Sequence, residues 1–533
     1  MDAHCINYSD TGFFSKTILQ YLDNDPALQP FYHNRPGLDG FAKQIEERKY
    51  NADRNVLADV LKEQYASISD FEFSISNLVR SNIELLKLDN TYTITTGHQL
   101  NIFTGPLYFV FKIVTAIKLS RELKAAFPAK NFVPVYWMAS EDHDFDEINH
   151  TNAGGKKIEW KLDAVGATGR LSTKSIREAL NQYKGILGLG GNAAELAELV
   201  EAAYTKFDKL ADATRYLVNA LFGQYGLVIL DADDARLKKQ FAPIIEKDII
   251  GQHSFKNISG TIPALQKLGA HIQVNPREIN FFYLTDTLRE RIVFEHGVYA
   301  VLNSDIKFTE RELRDEIDEH PERFSPNVVM RPLYQEVVLP NLAYIGGGGE
   351  FAYWLELKAN FDFYGVDFPI LILRNSGLIV DKKSADKWKK TGFGIADLFK
   401  PTEVLKTEWV KQHTQTDLSI SKEWFELQHI FDGLKQRAAE IDPTLAPSTE
   451  AIQSRLKHAM DNLERKLLKA EKRKHEVSLS HIEHIKNQLF PNGGLQERSE
   501  NIALFYVAYG QQLIDDLIEK FEPLAFKFAV ITE

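Results

Sequence analysis

The residues best equipped for chemistry lie in Glu141-Asp142-His143-Asp144-Phe145-Asp146-Glu147-Ile148-Asn149-His150, where five carboxylates and two histidines share one short stretch. Carboxylates and imidazoles so placed can bind a divalent cation or serve as general acid and base. Wound as a helix, the stretch would put Asp142 with Asp146, His143 with Glu147, and Asp146 with His150 on shared faces. The spacing is neither HExxH nor an EF-hand loop, so no particular metal is indicated. Charge runs are ordinarily solvated loops with capping roles. Five like charges repel, however, and a purely structural loop has little reason to carry that cost.

Two glycine-containing turns offer the complementary chemistry. Thr95-Thr96-Gly97-His98-Gln99, with Asn101, Thr104 and Gly105, precedes an apolar helix, and backbone N–H groups at such a turn hold phosphate or carboxylate. His98 and Gln99 can hydrogen-bond an attacking or leaving oxygen. The stretch is neither a P-loop nor a GxGxxG fingerprint. In Gly346-Gly347-Gly348-Gly349-Glu350, four glycines in a row let backbone approach a ligand closely. Arg331 and Arg374 offer fixed positive charge for phosphate or carboxylate groups, although a single arginine is more often a structural ion pair.

The elements that must position these residues follow from apolar periodicity. Tyr92 to Thr96 reads as a strand that turns at Gly97, and Pro106 opens a long apolar helix. Phe132 to Ser140 and Gly226 to Asp231 are apolar runs of strand length, suited to a sheet buried on both faces. FPILILRNSGLIV reads as one further buried strand, with Arg374 and Asn375 near its C-terminal end. Strand–helix alternation predicts an α/β fold with a parallel sheet, in which ligands gather outside the carboxyl ends of the strands. Residues 1–90 read as a helical lead-in packed on this core. Residues 91–400 form the core, with antiparallel hairpins inserted at about 155–190 and 250–325. Residues 401–533 read as helical, with a coiled coil at about 420–490 and a last helix returning to the core. Within the coiled coil, Ser448 or Thr449 is the expected cap of one long helix ending at Phe490. Ile452, Leu456, Met460, Leu463, Leu467 and Ala470 form a heptad seam, and a helix around Trp424 to Ala439 folds back beside it. Such a seam serves either a hairpin within one subunit or a dimer arm.

Composition bounds the answer. The 533 residues include 63 Lys+Arg against 74 Asp+Glu, a net charge of −11. Two or three domains are expected at this length. The 44% hydrophobic and 26% charged content excludes global disorder and a fibrous chain. The acidic balance argues against a nonspecific nucleic-acid binder. Cys5 is the only cysteine, which excludes an intrachain disulfide, a thiolate zinc cluster and a CxxC centre. Any thiol chemistry must therefore belong to a substrate. No signal-like start and no apolar run approaching a membrane span is present, so a cytoplasmic protein without membrane contact is expected.

Taken together, TGHQLNIFTGPLY, FVPVYWMASEDHDFDEINH, VVMRPLYQEVVLPNLAYIGGGGEFAYW, LRNS and GGLQER resemble the BshC family, the cysteine-adding enzymes of bacillithiol biosynthesis. The likeness runs in order from about Tyr8 to the C-terminus. It implies a Rossmann-like core with inserted connecting segments and a C-terminal coiled-coil arm supporting a homodimer. The implied reaction is a ligation, adding L-cysteine to the amine of glucosaminyl malate in the last step of bacillithiol assembly. The family is also similar, distantly, to class I aminoacyl-tRNA synthetases and the mycothiol cysteine ligase. This sequence departs from those relatives: it has no HxGH motif and no cysteine pair to hold a substrate thiolate on zinc. Amide formation requires carboxylate activation, for which ATP or another nucleotide is expected, while a divalent-metal requirement stays open. Asp142, His143 and Asp144 are the expected base or amine binders. Substrate and nucleotide contacts are expected from Gly97, His98, Gln99, Thr104, Gly105, Glu141, Asp146 and Asn149. Arg331, Gly346, Gly347, Gly348, Gly349, Arg374 and Asn375 complete that set. The competing readings are a metal-dependent nucleotidyltransferase or hydrolase using the acidic cluster, and a non-enzymatic coiled-coil scaffold. A scaffold leaves the polar motifs at three strand ends unexplained.

Overall fold

The computed structural model describes residues 1–69 and 75–533; residues 70–74 of the expected lead-in lie outside them. Two compact units divide the chain. One comprises Met1–Leu378 with Gly494–Ile531, the other Ile379–Gly493 with Thr532–Glu533. The break falls ahead of residue 400, where the sequence reading ends the core.

The first unit is built on a five-stranded sheet. Its strands lie side by side in the order Ile370–Leu373, Asn341–Gly346, Thr91–His98, Asn131–Met138 and Val228–Asp231. All neighbours are parallel. Threonines 91, 93, 95 and 96 are buried, and the sheet tolerates them because their hydroxyls are used. Thr93 and Thr95 donate to Asn341 Oδ1 at 3.1 and 2.9 Å, and Thr96 to the Ile345 carbonyl at 2.9 Å. The helix Leu107–Ala126 is apolar nearly all round, as a helix enclosed by a core must be. Ala116, Leu119 and Leu123 from it pack with Ile94, Ile345 and Ile372 of the sheet.

Numbered in chain order, these strands read 5-4-1-2-3 across the sheet. Strands 1 and 4 are neighbours, and the connections run outward from them in opposite directions. That junction is the topological switch point, where an open α/β sheet leaves a crevice at its carboxyl edge. Gly97 and His98 end strand 1, and Gly346 ends strand 4.

Several elements differ from the sequence reading. The first strand continues through Gly97 to His98, because Gly97 and His98 pair with Trp137 and Met138 rather than turning. FPILILRNSGLIV is two strands, Ile370–Leu373 and Gly377–Val380, separated where Arg374 and Asn375 find buried side-chain partners. The acidic stretch forms only one helical turn, Phe145–Ile148, so the helical faces expected for Asp142, His143 and His150 do not exist. At about 155–190 only a short hairpin forms, His150–Ala153 with Lys156–Glu159, and Arg177–Leu187 is a helix. The later insertion contains the expected antiparallel strands Phe281–Leu284, Arg289–Glu295 and Val298–Val301, but also the helices His253–Lys267 and Glu310–Glu319.

The second unit carries the helices Ser421–Ile441 and Leu445–Lys474, which pack against one another. The second of these begins at Leu445, so neither Ser448 nor Thr449 caps it; Pro447 is accommodated in its first turn. It ends at Lys474, and Glu476–Leu489 is a separate helix. Trp424, Leu427, Phe431, Leu456 and Met460 are half-buried. Ile452, Leu463, Leu467 and Ala470, four of the six residues of the expected seam, remain exposed. Among the described residues, no helix is long and apolar enough to cross a membrane.

Candidate active site

At the switch point a cavity of about 1250 Å³ opens at the carboxyl edge of the sheet. Its floor is set by two strand ends and one ion pair. Lys112, 2% exposed on the Leu107–Ala126 helix, donates to the Gly97 carbonyl at 2.8 Å and meets Glu350 Oε2 at 2.5 Å. The Glu350 carboxylate also accepts from the Gly347 N–H at 2.8 Å and the Tyr344 hydroxyl at 2.7 Å. Burial alone would raise its pKa; Lys112 and these donors outweigh burial and hold it below the usual carboxylate range. One ion pair thus ties the end of the first strand to the glycine loop. Glycine at position 97 suits this closeness, since a Cβ there would sit 3.3 Å from the Tyr344 hydroxyl.

His98 stacks on Phe109 with ring centroids 5.0 Å apart, and its Nε2 is buried without a partner. Burial, then the charges of Lys112, Arg374 and Arg331, pull its pKa far below the ordinary value. A neutral imidazole held among cations marks a positive corner suited to an anion. Arg374 is less free than its position in the sequence suggests. Its Nη2 donates to Glu497 at 2.6 Å, and Nη1 to Ser376 Oγ at 3.1 Å. Its Nε is buried without a partner, 3.6 Å from where a Cβ at Gly347 would lie.

The opposite rim is the acidic turn. Asp142 Oδ2 accepts from Gln99 Nε2 at 3.0 Å, and the same amide donates to Glu147 Oε2 at 2.7 Å, so Gln99 bridges two carboxylates. Arg331 Nη1 lies 3.9 Å from Asp142. Burial would raise the Asp142 pKa, but Arg331, Arg289 and the donated hydrogen bonds hold it below the usual range. Asp144 caps the short helix, accepting from the Glu147 N–H at 3.3 Å. His143 meets Arg289, which reaches the turn from the inserted antiparallel sheet.

The cavity therefore gathers Gly97, His98, Gln99, Asp142, His143, Asp144, Asp146, Arg331, Gly347, Gly348, Gly349 and Arg374. Six expected residues do not line it. Glu141 is turned away into a buried pair with Lys238, and burial raises its pKa. Asn375 is buried and bonded to Thr115. Asn149 caps the short helix. The side chain of Gly346's neighbour Tyr344 and Glu350 close over Gly346. Thr104 and Gly105 lie in a run of positive φ, Phe103 to Gly105, in which the Phe103 and Gly105 carbonyls accept from Asn501 Nδ2 at 2.7 Å. Their role is to route the chain from the first strand into its helix.

Lys112, Arg289 and the ionised role of Glu350 were missed by sequence reasoning. Lys112 left a signal, as an isolated charge in LYFVFKIVTAI. Arg289 left none, being 146 positions from His143 in an ordinary hairpin. Among the described residues, no three His, Cys, Asp or Glu side chains converge as a metal site.

Comparison with known proteins covers the whole chain. Residues 1–375 match the family model "Bacillithiol biosynthesis BshC, N-terminal Rossmann-like domain", and residues 377–533 match its C-terminal coiled-coil domain. A protein of Flavobacterium psychrophilum is 47% identical over 100% of this chain and 99% of its own. One of Flavobacterium johnsoniae is 46% identical over 100% of both, and one of Bacillus thuringiensis 27% identical over 94% and 95%. Each bears the name "Putative cysteine ligase BshC".

The Asp142 environment predicts a pH effect. A folded-state pKa below the ordinary value of about 4 means that ionised Asp142 stabilises the fold above that pH. The contribution is lost as pH falls through the lower folded value. Asp142→Asn should therefore be no more stable than the parent at pH 7, and its melting temperature should fall less steeply between about pH 5 and pH 3. A variant more stable than the parent at pH 7 would show that repulsion within the acidic turn dominates instead.

Proposed function

The chain belongs to the BshC family of bacillithiol biosynthesis, and from that membership we propose that it is the ligase joining L-cysteine to the amine of glucosaminyl malate. The observation that carries this reading is one cleft with two chemically opposite rims. The acidic turn suits a cationic amine, and the glycine loop with its surrounding cations suits an activated carboxylate.

ATP or another nucleotide, when bound, supplies the activation of the cysteine carboxylate. The residues present fit an anionic group there: Gly347 to Gly349 have no side chain to obstruct it, and the His98 Nε2 lacks a partner. Arg331, 30% exposed, presents charge at the boundary between the two rims. Asp142, held ionised, binds the substrate amine as its ammonium, which releases one proton to solvent before the neutral amine attacks. Asp144 or His143 takes the proton as the amine nitrogen bonds to the carboxyl carbon and the activating group departs with its electron pair. The setting is the cytoplasm.

The protein acts as a homodimer through its coiled-coil hairpin. Phe425, Ile430, Ile441, Ile452 and Leu463 are 62, 58, 80, 49 and 50% exposed within this one chain, a liability unless a second copy covers them. Light scattering should find a chain lacking residues 420–490 monomeric; dimerisation at full-length affinity would place the interface elsewhere.

A deletion strain should accumulate glucosaminyl malate, read by mass spectrometry of small thiols and their precursors. Asp144→Asn should restore cysteine addition at a rate lower by on the order of 10²–10⁴ with an unchanged melting temperature. A strain with normal thiols and no accumulated precursor would contradict the assignment.

A further inference from the structure

His143 is the one expected base whose ring nitrogens can be told apart. Arg289 Nη1 meets His143 Nδ1. A guanidinium has donors and no acceptor, so Nδ1 must be the acceptor in this contact. A neutral imidazole whose Nδ1 accepts carries its proton on Nε2. Arg289 is well fixed for the purpose. It is 9% exposed, its Nε donates to Ser325 Oγ at 3.1 Å, and its guanidinium lies 4.0 Å above the Phe282 ring. His143 rests against the same ring, with centroids 5.3 Å apart. The charged groups facing it are Arg289, Asp142, Asp144 and Glu290, and burial followed by Arg289 moves its pKa below the ordinary value despite the three acids. The side chain is 48% exposed and lines the cleft. With Nδ1 engaged by Arg289, Nε2 is the nitrogen left for a ligand.

We infer that His143 works as a neutral Nε2–H donor, with Arg289 as the positioning residue that sets its tautomer. This rests on the ligase reading above. As the amine nitrogen bonds to the carboxyl carbon, the carbonyl π pair moves onto oxygen, and Nε2–H donates to that oxygen. The pair returns as the bond to the activating group breaks. The amine proton goes to the Asp144 carboxylate, and His143 neither gains nor loses one. Acting as base, His143 would have no lone pair at Nε2, and its Nδ1 could take a proton only by releasing Arg289.

Nitrogen-15 NMR of the histidine-labelled full-length protein tests this, with His143 assigned from His143→Gln. The wild-type spectrum at pH 7 should show His143 neutral and protonated at Nε2. Arg289→Met should give mixed tautomers and a raised titration midpoint, and Arg289→Lys, which keeps a donor and a charge, should give a smaller change. An Nδ1–H tautomer or an imidazolium in the wild type overturns the inference, whatever the activity. In turnover, His143→Ala should lose about 10²–10³, the usual cost of an oxyanion donor. His143→Gln, whose amide nitrogen can stand in for Nε2, should lose at least about tenfold less. Equal losses in the two variants would overturn the donor role. Absence of cysteine addition by the wild-type enzyme would instead reject the ligase reading and leave the tautomer result standing.

Discussion

The Lys112–Glu350 pair is the contact on which the rest of the site depends. A lysine 2% exposed in an apolar helix is costly unless its charge is met, and Glu350 meets it. The Lys112 pKa is lowered by burial first, with Glu350 opposing that fall. The same carboxylate holds the Gly347 N–H, and the same ammonium holds the Gly97 carbonyl. Two strands that meet at the topological switch point are thereby pinned at their carboxyl ends, at Gly97 and beside Gly346, positions that have no side chain of their own to hold them. The glycines give backbone access, and the ion pair gives the rigidity that glycine lacks.

From that floor the two rims of the cleft separate by charge. On one side His98 is kept neutral by burial, with Lys112, Arg374 and Arg331 around it adding to the effect. On the other, Asp142, Asp144, Asp146 and Glu147 are held in a tight turn by capping, by the Gln99 bridge and by Arg331 and Arg289. The acids are numerous, but they are not an undivided repulsive patch. Glu141 is removed into burial against Lys238, and Asp142 faces two arginines. Arg331 stands between the rims, so that neither rim of the cleft presents only like charge to a group bound beside it.

Much of this was legible in the sequence. Apolar runs of strand length revealed the parallel sheet, and the polar motifs that follow them were read as lying at its carboxyl edge, because local patterns fix local structure. What the sequence hid was pairing over long distance. Arg374 reads as a ligand cation, yet its charge is met by Glu497, 123 positions later. Asn375 reads as a site residue and is a buried link to Thr115. Arg289 sits in a hairpin with no motif, and only the folded chain brings it to His143. Only Leu456 and Met460 of the heptad seam are half-buried, for a related reason: a helix can carry two apolar stripes, and periodicity does not say which one the neighbouring helix covers. The acidic stretch failed as a helix because Asp142 and Asp144 bond to backbone N–H groups ahead of them, a local alternative that short acidic side chains favour.

A double-mutant cycle on Lys112 and Glu350, read by urea unfolding, tests the central claim most directly. Glu350→Leu strands the buried ammonium and should cost about 3–5 kcal/mol. Lys112→Met should cost less, since the Glu350 side chain is 26% exposed and can reach water. If the pair pins the site, the double variant loses clearly less than the sum of the two singles, with a coupling of about 1–3 kcal/mol. Strict additivity would contradict the account, because it would mean that the two charges hold the strand ends independently or not at all.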